Sequence, residues 1–296
     1  MSGWTFDLAG VSVTLGRTRA LQDLDLTIEG GEAVALIGPR GAGKTTLLRT
    51  LAGALESSAG AVRLGGSNLA DLGERERRDL RASIGFVHQD LALVPVLSAL
   101  ANVTAGRRGR DGLFAGLRRV ALPRAAEAEE VHALLERVGI GEELYHRGDR
   151  LSGGQQQRVA IARALYQEPR ALLADAPVSA VDPVRSRAIV DLLLALARER
   201  GATLVASLHA VALARARLPR LVGLRERVAS ARGPGRCSAS RRRRRSPRGR
   251  SGSTSTGSSR AARGWSSLAT SSLRRSSPLS TTSRASLSPA RRRSSS

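Results

Sequence analysis

The sequence predicts an α/β fold: a mostly parallel sheet covered by helices on both faces, with an N-terminal antiparallel β subdomain and an inserted helical subdomain. Three observations predict it. Short apolar runs alternate with helix-periodic segments along the chain, the pattern that buries a parallel sheet between helices. One of those runs, Ala33–Ile37, leads into a glycine-rich loop and then a helical stretch, the strand–loop–helix order of a phosphate-binding turn. Residues from about 90 to 162 contain helix-like segments and no clear strand, so they form an insertion rather than more sheet.

The elements follow in order. Residues 5–31 alternate apolar and polar in two stretches, broken at Gly16 and at Gly30-Gly31, which predicts antiparallel strands joined by tight turns. Ala33–Ile37 reads as a buried strand, and Lys44–Leu55 as the helix it feeds. Ser83–Val87 is a second short apolar strand. Ala125–Val138 has helical periodicity, with acidic residues early and Arg137 late, as the helix dipole favours. Ser152 can cap a helix running through Arg163. Ala171–Asp175 and Ala202–Ser207 are two more buried strands, with a helix over Pro183–Arg198 between them. One ordered domain is thus expected over residues 1–226.

From about Arg227 the periodicity stops. Arg and Ser supply 40 of the last 70 residues, 18 of them Arg, with no Asp or Glu. A segment of that kind cannot bury enough apolar surface to offset its chain entropy, and disorder is expected over residues 227–296. The formal net charge of +23 is mostly a property of this tail: residues 1–226 hold 48 − 18 = 30 basic against 25 acidic residues. Nucleic acid is therefore not an expected partner of the ordered part. Three readings of the tail compete. It could bind RNA through clustered Arg, Arg241–Arg245 could sit on anionic lipid, or a shifted reading frame in a GC-rich gene could have produced the mix of Arg, Ser, Pro, Gly and Ala.

The single cysteine, Cys237, precludes an internal disulfide, which fits a reducing compartment. Met1–Gly10 has no basic residue ahead of an apolar run, unlike a secretory signal. No apolar run reaches the roughly 18–20 residues needed to cross a bilayer. The expectation is a protein that is soluble or is held to a membrane by a partner.

Gly38-Pro39-Arg40-Gly41-Ala42-Gly43-Lys44-Thr45 fits the Walker A pattern of P-loop NTPases in full. Its glycines let backbone N–H groups wrap phosphates, and the following helix N-terminus adds positive potential. Lys44, the only lysine in the chain, is placed to hold the β- and γ-phosphates of ATP. Thr45 is placed on Mg²⁺, and Thr46 near the α-phosphate. Arg40 is a large cation at a position where a small or polar residue is usual; it either crowds the loop or adds a phosphate contact. Leu151-Ser152-Gly153-Gly154-Gln155 supplies a second helix N-terminus with exposed N–H groups, a second anion site.

These two motifs together resemble the ATP-binding subunit of an ABC transporter, over residues 5–225. Four further features fall in that family's order. Ala171–Asp175 resembles Walker B, with Asp175 toward Mg²⁺. Gln89, after a strand, resembles the glutamine that contacts Mg²⁺ and the attacking water and senses the permease. Ser179-Ala180-Val181-Asp182 resembles the D-loop, and His209 the switch histidine near the γ-phosphate. The resemblance implies that Ser152, Gly153, Gly154 and Gln155 close over ATP held by the Walker A loop of a second copy, so that two ATP molecules sit between two head-to-tail subunits. Within the family the likeness is to phosphonate importers, carried by Ile84–Gln89, Ala101–Arg107, Phe114–Leu117 and Leu151–Tyr166; amino-acid importers are the nearest rival. Permease subunits, and through them a solute-binding protein, are the implied partners, and the cytoplasmic face of the membrane the implied location.

Two family positions depart. Leu15 stands where an adenine-stacking aromatic is usual, and Ala176 stands where the family places the glutamate that polarises water. A methyl group cannot accept a proton, and general-base help is worth roughly 10²–10⁴-fold in rate. Slow or absent hydrolysis follows, with binding and dimer closure retained, unless Gln89 and His209 suffice. A non-hydrolysing regulatory subunit is the alternative that Ala176 favours. A soluble ABC ATPase acting on nucleic acid is another; such proteins usually carry two ATP-binding domains, and this chain has one Walker A and one signature.

Overall fold

The computed structural model describes residues 3–109, 124–178, 183–225 and 228–232. Phe114–Leu117, Ser179–Asp182 and the tail beyond Arg232 lie outside the described residues.

Strands β1 (Phe6–Leu15) and β2 (Thr18–Ile28) pair antiparallel. They turn at Gly16, whose φ of 58° is a conformation that suits glycine. Their alternation points Phe6, Leu8, Val11, Val13, Leu21, Leu24, Leu26 and Ile28 inward, all at most 2% exposed. β4 (Ala59–Leu64) and the two-residue β5 (Ser67–Asn68) complete a four-stranded antiparallel sheet in the order β2-β1-β4-β5.

The second sheet has six strands in the order β10-β9-β3-β8-β7-β6. β3 (Ala33–Ile37), β6 (Ile84–Val87), β7 (Ala171–Ala174), β8 (Thr203–Ser207) and β9 (Arg220–Arg225) run parallel. Both faces of this sheet are covered, which is why its strands read as continuous apolar runs. In β3, Val34 and Leu36 enter a core shared with β1, β2 and the first helix, while Ala35 enters the opposite core with Val159, Leu193 and Leu204.

Helix α1 (Lys44–Leu51) follows β3. It ends earlier than the periodicity through Leu55 predicts. Gly53 at φ 65° breaks it, and the amides of Ala54 and Leu55 turn back to the Arg49 carbonyl. Helix α2 (Glu74–Ala82) had no sequence signature because its residues are almost all charged and only Ala82 is buried. A Glu76 carboxylate accepting the Gly73 N–H at 2.9 Å starts it.

Among the described residues, the helical region comprises α3 (Ala99–Thr104), α4 (Ala125–Arg137) and α5 (Gly153–Tyr166). Asn102, 1% exposed, holds the incoming chain: its side chain accepts from the Val94 N–H and donates to the carbonyls of Val94, Leu97 and Ser98. α6 (Pro183–Glu199) and α7 (Val211–Arg217) flank β8.

One expectation is corrected. Val228–Arg232, in the segment read as disordered, forms β10 and pairs antiparallel with β9. An edge strand needs only backbone partners, and β9 offers an open edge. Among the described residues, no helix is long and apolar enough to cross a membrane.

Candidate nucleotide-binding site

The loop Gly38–Gly43 lies between the end of β3 and the start of α1. Two of its glycines, Gly38 and Gly43, are required by the chain's own packing. A Cβ on Gly38 would lie 2.3 Å from the Leu224 carbonyl oxygen of β9, and one on Gly43, at φ 97°, would lie 2.6 Å from that of Ala20 on β2. Pro39, Arg40 and Gly41 are exposed at the tip, and Ala42 is buried against β3 and α1. No side chain caps α1, so its first-turn N–H groups face the loop mouth. Thr45 and Thr46 in that turn are half-buried.

Lys44, 7% exposed, arches back over the loop and donates to the carbonyls of Gly38 and Pro39 at 2.8 and 2.9 Å. Burial holds its pKa below the usual lysine value, and the nearby carboxylate of Asp175 pulls the other way. Asp175 emerges at the end of β7, 5% exposed, its N–H donating to the Val87 carbonyl at 2.9 Å. A cation and a carboxylate converge here at the carboxyl ends of β3 and β7, on either side of β8, the side of an open α/β sheet where ligands bind. The oxygens of Thr45 and Asp175 are hard donors of the kind Mg²⁺ takes.

His209 follows β8 and is exposed. Its pKa is lowered, first by partial burial and then by Lys44 and Arg40, so the ring is neutral near pH 7. Arg40, Ala176, Ser207 and His209 line one cleft of about 700 Å³. Ala176 brings no polar side-chain atom to that lining, and its backbone sits at φ 46°. Gln89 is exposed just past β6, beside β7. Asp182 lies outside the described residues. Leu15, 45% exposed, lies at the β1–β2 turn.

Ser152, Gly153, Gly154 and Gln155 belong to a different part of the molecule. Ser152 accepts from the Gln155 N–H at 3.4 Å while the Gln155 side chain accepts from the Ser152 N–H at 2.7 Å, a reciprocal cap. Gln155 also donates to Glu143 at 2.6 Å. A Cβ at Gly153 or Gly154 would meet nothing within 4 Å.

Two residues that sequence reasoning passed over shape the site. Ser207 donates to Asp175 Oδ1 at 2.8 Å and accepts from the Ala176 N–H at 2.7 Å. Its signal was weak: a terminal hydroxyl on an otherwise apolar strand. Arg163 of α5 donates to the carbonyls of Leu91 and Ala92 at 2.7 and 2.5 Å. Those two residues have φ of 59° and 47°, so the arginine fixes an unusual turn just after Gln89. Nothing in the sequence near residue 90 announces that partner, 71 positions away.

Known proteins resemble this chain. The ABC transporter family model matches residues 21–179. The phosphonates import ATP-binding protein PhnC of Anaeromyxobacter dehalogenans is 49% identical over 225 residues, which cover 76% of this chain and 44% of that protein, less than half its length. The phosphonates import ATP-binding protein PhnC 1 of Rhodopseudomonas palustris is 45% identical over 207 residues, covering 70% of this chain and 73% of that one. A dimeric structure of MJ0796, a bacterial ABC transporter cassette, matches with a TM-score of 0.65 at 33% identity, covering 77% of this chain and 98% of its own.

Proposed function

The chain belongs to the ABC transporter family as an ATP-binding subunit, and from that premise we propose that it serves a phosphonate importer, binding Mg·ATP but hydrolysing it slowly. The phosphonate assignment draws on the relatives named above. The slow turnover is carried by one observation: the residue directly after Asp175 that lines the cleft is Ala176, which has no polar side-chain atom.

In this reading Gly38–Gly43 would wrap the phosphates with N–H groups, and Lys44 would turn from its two carbonyl acceptors toward the β- and γ-phosphates. Thr45, Asp175 and Gln89 are the residues that would hold Mg²⁺, and Thr46 would bond the α-phosphate. The metal would supply charge neutralisation at the terminal phosphates. Neutral His209 can hydrogen-bond the γ-phosphate, and Asp182 belongs to the same catalytic group. No carboxylate stands at position 176 to accept a proton from water, so the hydrolytic step loses roughly 10²–10⁴-fold.

A second copy completes the site. Glycine at the first helical positions lowers helix propensity, and nothing among the described residues needs it at Gly153 or Gly154. Close approach by a nucleotide held on another subunit supplies the reason, and the similar MJ0796 cassette is dimeric. Permease subunits would dock where the loop after Gln89 exposes Val94 and Val96, 46% and 64% accessible, beside Tyr145 at 73%. That contact would hold the chain at the cytoplasmic face of the membrane.

The test is size exclusion with ATP and Mg²⁺ together with a phosphate-release assay. The proposal expects an ATP-dependent dimer that persists for many minutes with little phosphate released. Brisk hydrolysis by the unmodified chain would overturn it. Ala176 also favours a regulatory subunit that binds without turnover, and the absence of stimulation by a reconstituted permease would select that reading.

A further inference from the structure

We propose that Ser207 is a positioning residue that sets the magnesium affinity of the site, an inference that rests on Asp175 being a magnesium-holding carboxylate. Its hydroxyl is 1% exposed and has one proton to give. That proton goes to Asp175 Oδ1, while Ser207 Oγ accepts the N–H of Ala176. One buried hydroxyl on β8 therefore binds two consecutive residues at the end of β7.

The consequence for the carboxylate is geometric. Asp175 is itself 5% exposed. With Oδ1 held by the hydroxyl, its rotamer is fixed and its second oxygen is left for a metal. A ligand oriented before the ion arrives loses little freedom on binding it, which is why hydrogen-bonded partners behind metal ligands matter to affinity. Without the hydroxyl, the carboxylate could rotate toward Lys44, whose charge it already feels, and the two would compensate each other instead of meeting Mg²⁺ and phosphate.

The second bond extends the effect. Ala176 has φ 46°, a region that residues with a Cβ seldom adopt. Its buried N–H has Ser207 as acceptor, and that contact helps to hold the strained turn. A glutamate restored at position 176 would be aimed by this same backbone. Ser207 and His209 leave one strand two residues apart, so β8 delivers both the group behind the metal ligand and the group facing the γ-phosphate.

The test uses the full chain with Ser207→Cys, which keeps the volume but donates weakly, and Ser207→Thr, which keeps the hydroxyl. A fluorescent ATP analogue is titrated at varied Mg²⁺ and again in excess EDTA. Ser207→Cys should raise the Mg²⁺ concentration for half-maximal binding by about tenfold or more, leave affinity in EDTA unchanged, and be rescued by Ser207→Thr. Ser207→Ala gives the same readout should cysteine disturb the packing. An unmoved Mg²⁺ midpoint, or an equal loss with and without the metal, overturns the proposal and leaves Ser207 as a tie between strands. Binding by the unmodified chain that ignores Mg²⁺ overturns the assignment of Asp175 itself, and this inference with it.

Discussion

Two helix N-termini in this molecule carry glycine-rich motifs, and their glycines answer to different constraints. Before α1, Gly38 and Gly43 are forced by neighbours in the same chain: the carbonyls of Leu224 and Ala20 leave no room for a Cβ. At α5, Gly153 and Gly154 face open space and the helix is already capped by Ser152 and Gln155. The first motif is a site that this fold builds for itself. The second is, in the proposed reading, half a site, and no described residue gives a physical reason for its glycines. Packing that is demanded internally and packing that is not can be told apart by what a methyl group would touch.

The largest expected effect falls on the first terminus. Lys44→Ala should abolish binding of a fluorescent ATP analogue, because no other lysine exists to replace it; unchanged affinity would remove the phosphate-loop assignment. The two motifs then separate under the same substitution. Gly38→Ala should destabilise the fold by more than about 1 kcal/mol in chemical denaturation, since its φ of 154° and the 2.3 Å approach both exclude a side chain. Gly153→Ala should leave stability and monomer binding intact yet prevent the ATP-dependent dimer. If both variants behaved alike, the contrast between a completed site and a half-site would fail.

Ala176→Glu sharpens the same contrast from the chemical side. It should raise phosphate release by at least about 10²-fold, and only in the dimer, because the γ-phosphate is enclosed there. Ser152→Ala comes next: loss of the cap should cost about 1 kcal/mol of helix stability by denaturation, beyond any effect on dimerisation. The smallest change is in proton affinity. His209 has its pKa lowered by burial, then by Lys44 and Arg40, so Arg40→Ala should move it up toward its ordinary 6.5 in an NMR titration. The sign for stability follows: with the folded pKa below the unfolded one, the His209 term is neutral above pH 6.5 and destabilises as pH falls through that value. The ring is largely exposed, so that contribution is small.

The sequence by itself determined the strand–loop–helix turn, the cap at Ser152, the buried strands β3, β6, β7 and β8, and the order of motifs that carries the family. These are local: they depend on spacing along the chain, on glycine's freedom and on apolar periodicity. Its disordered reading of the tail missed β10, because pairing with β9 is a property of the edge and not of the segment. α2 escaped because a charged surface helix has no periodic apolar stripe to see. Tertiary structure alone decided which side chains meet at the site. The hydroxyl of Ser207 reaches Asp175 from 32 positions away, and Arg163 holds Leu91 from 72. Contacts of that kind arise from the order in which strands and helices are packed, which hydrophobic burial sets for the whole domain at once; no local pattern at either residue encodes them.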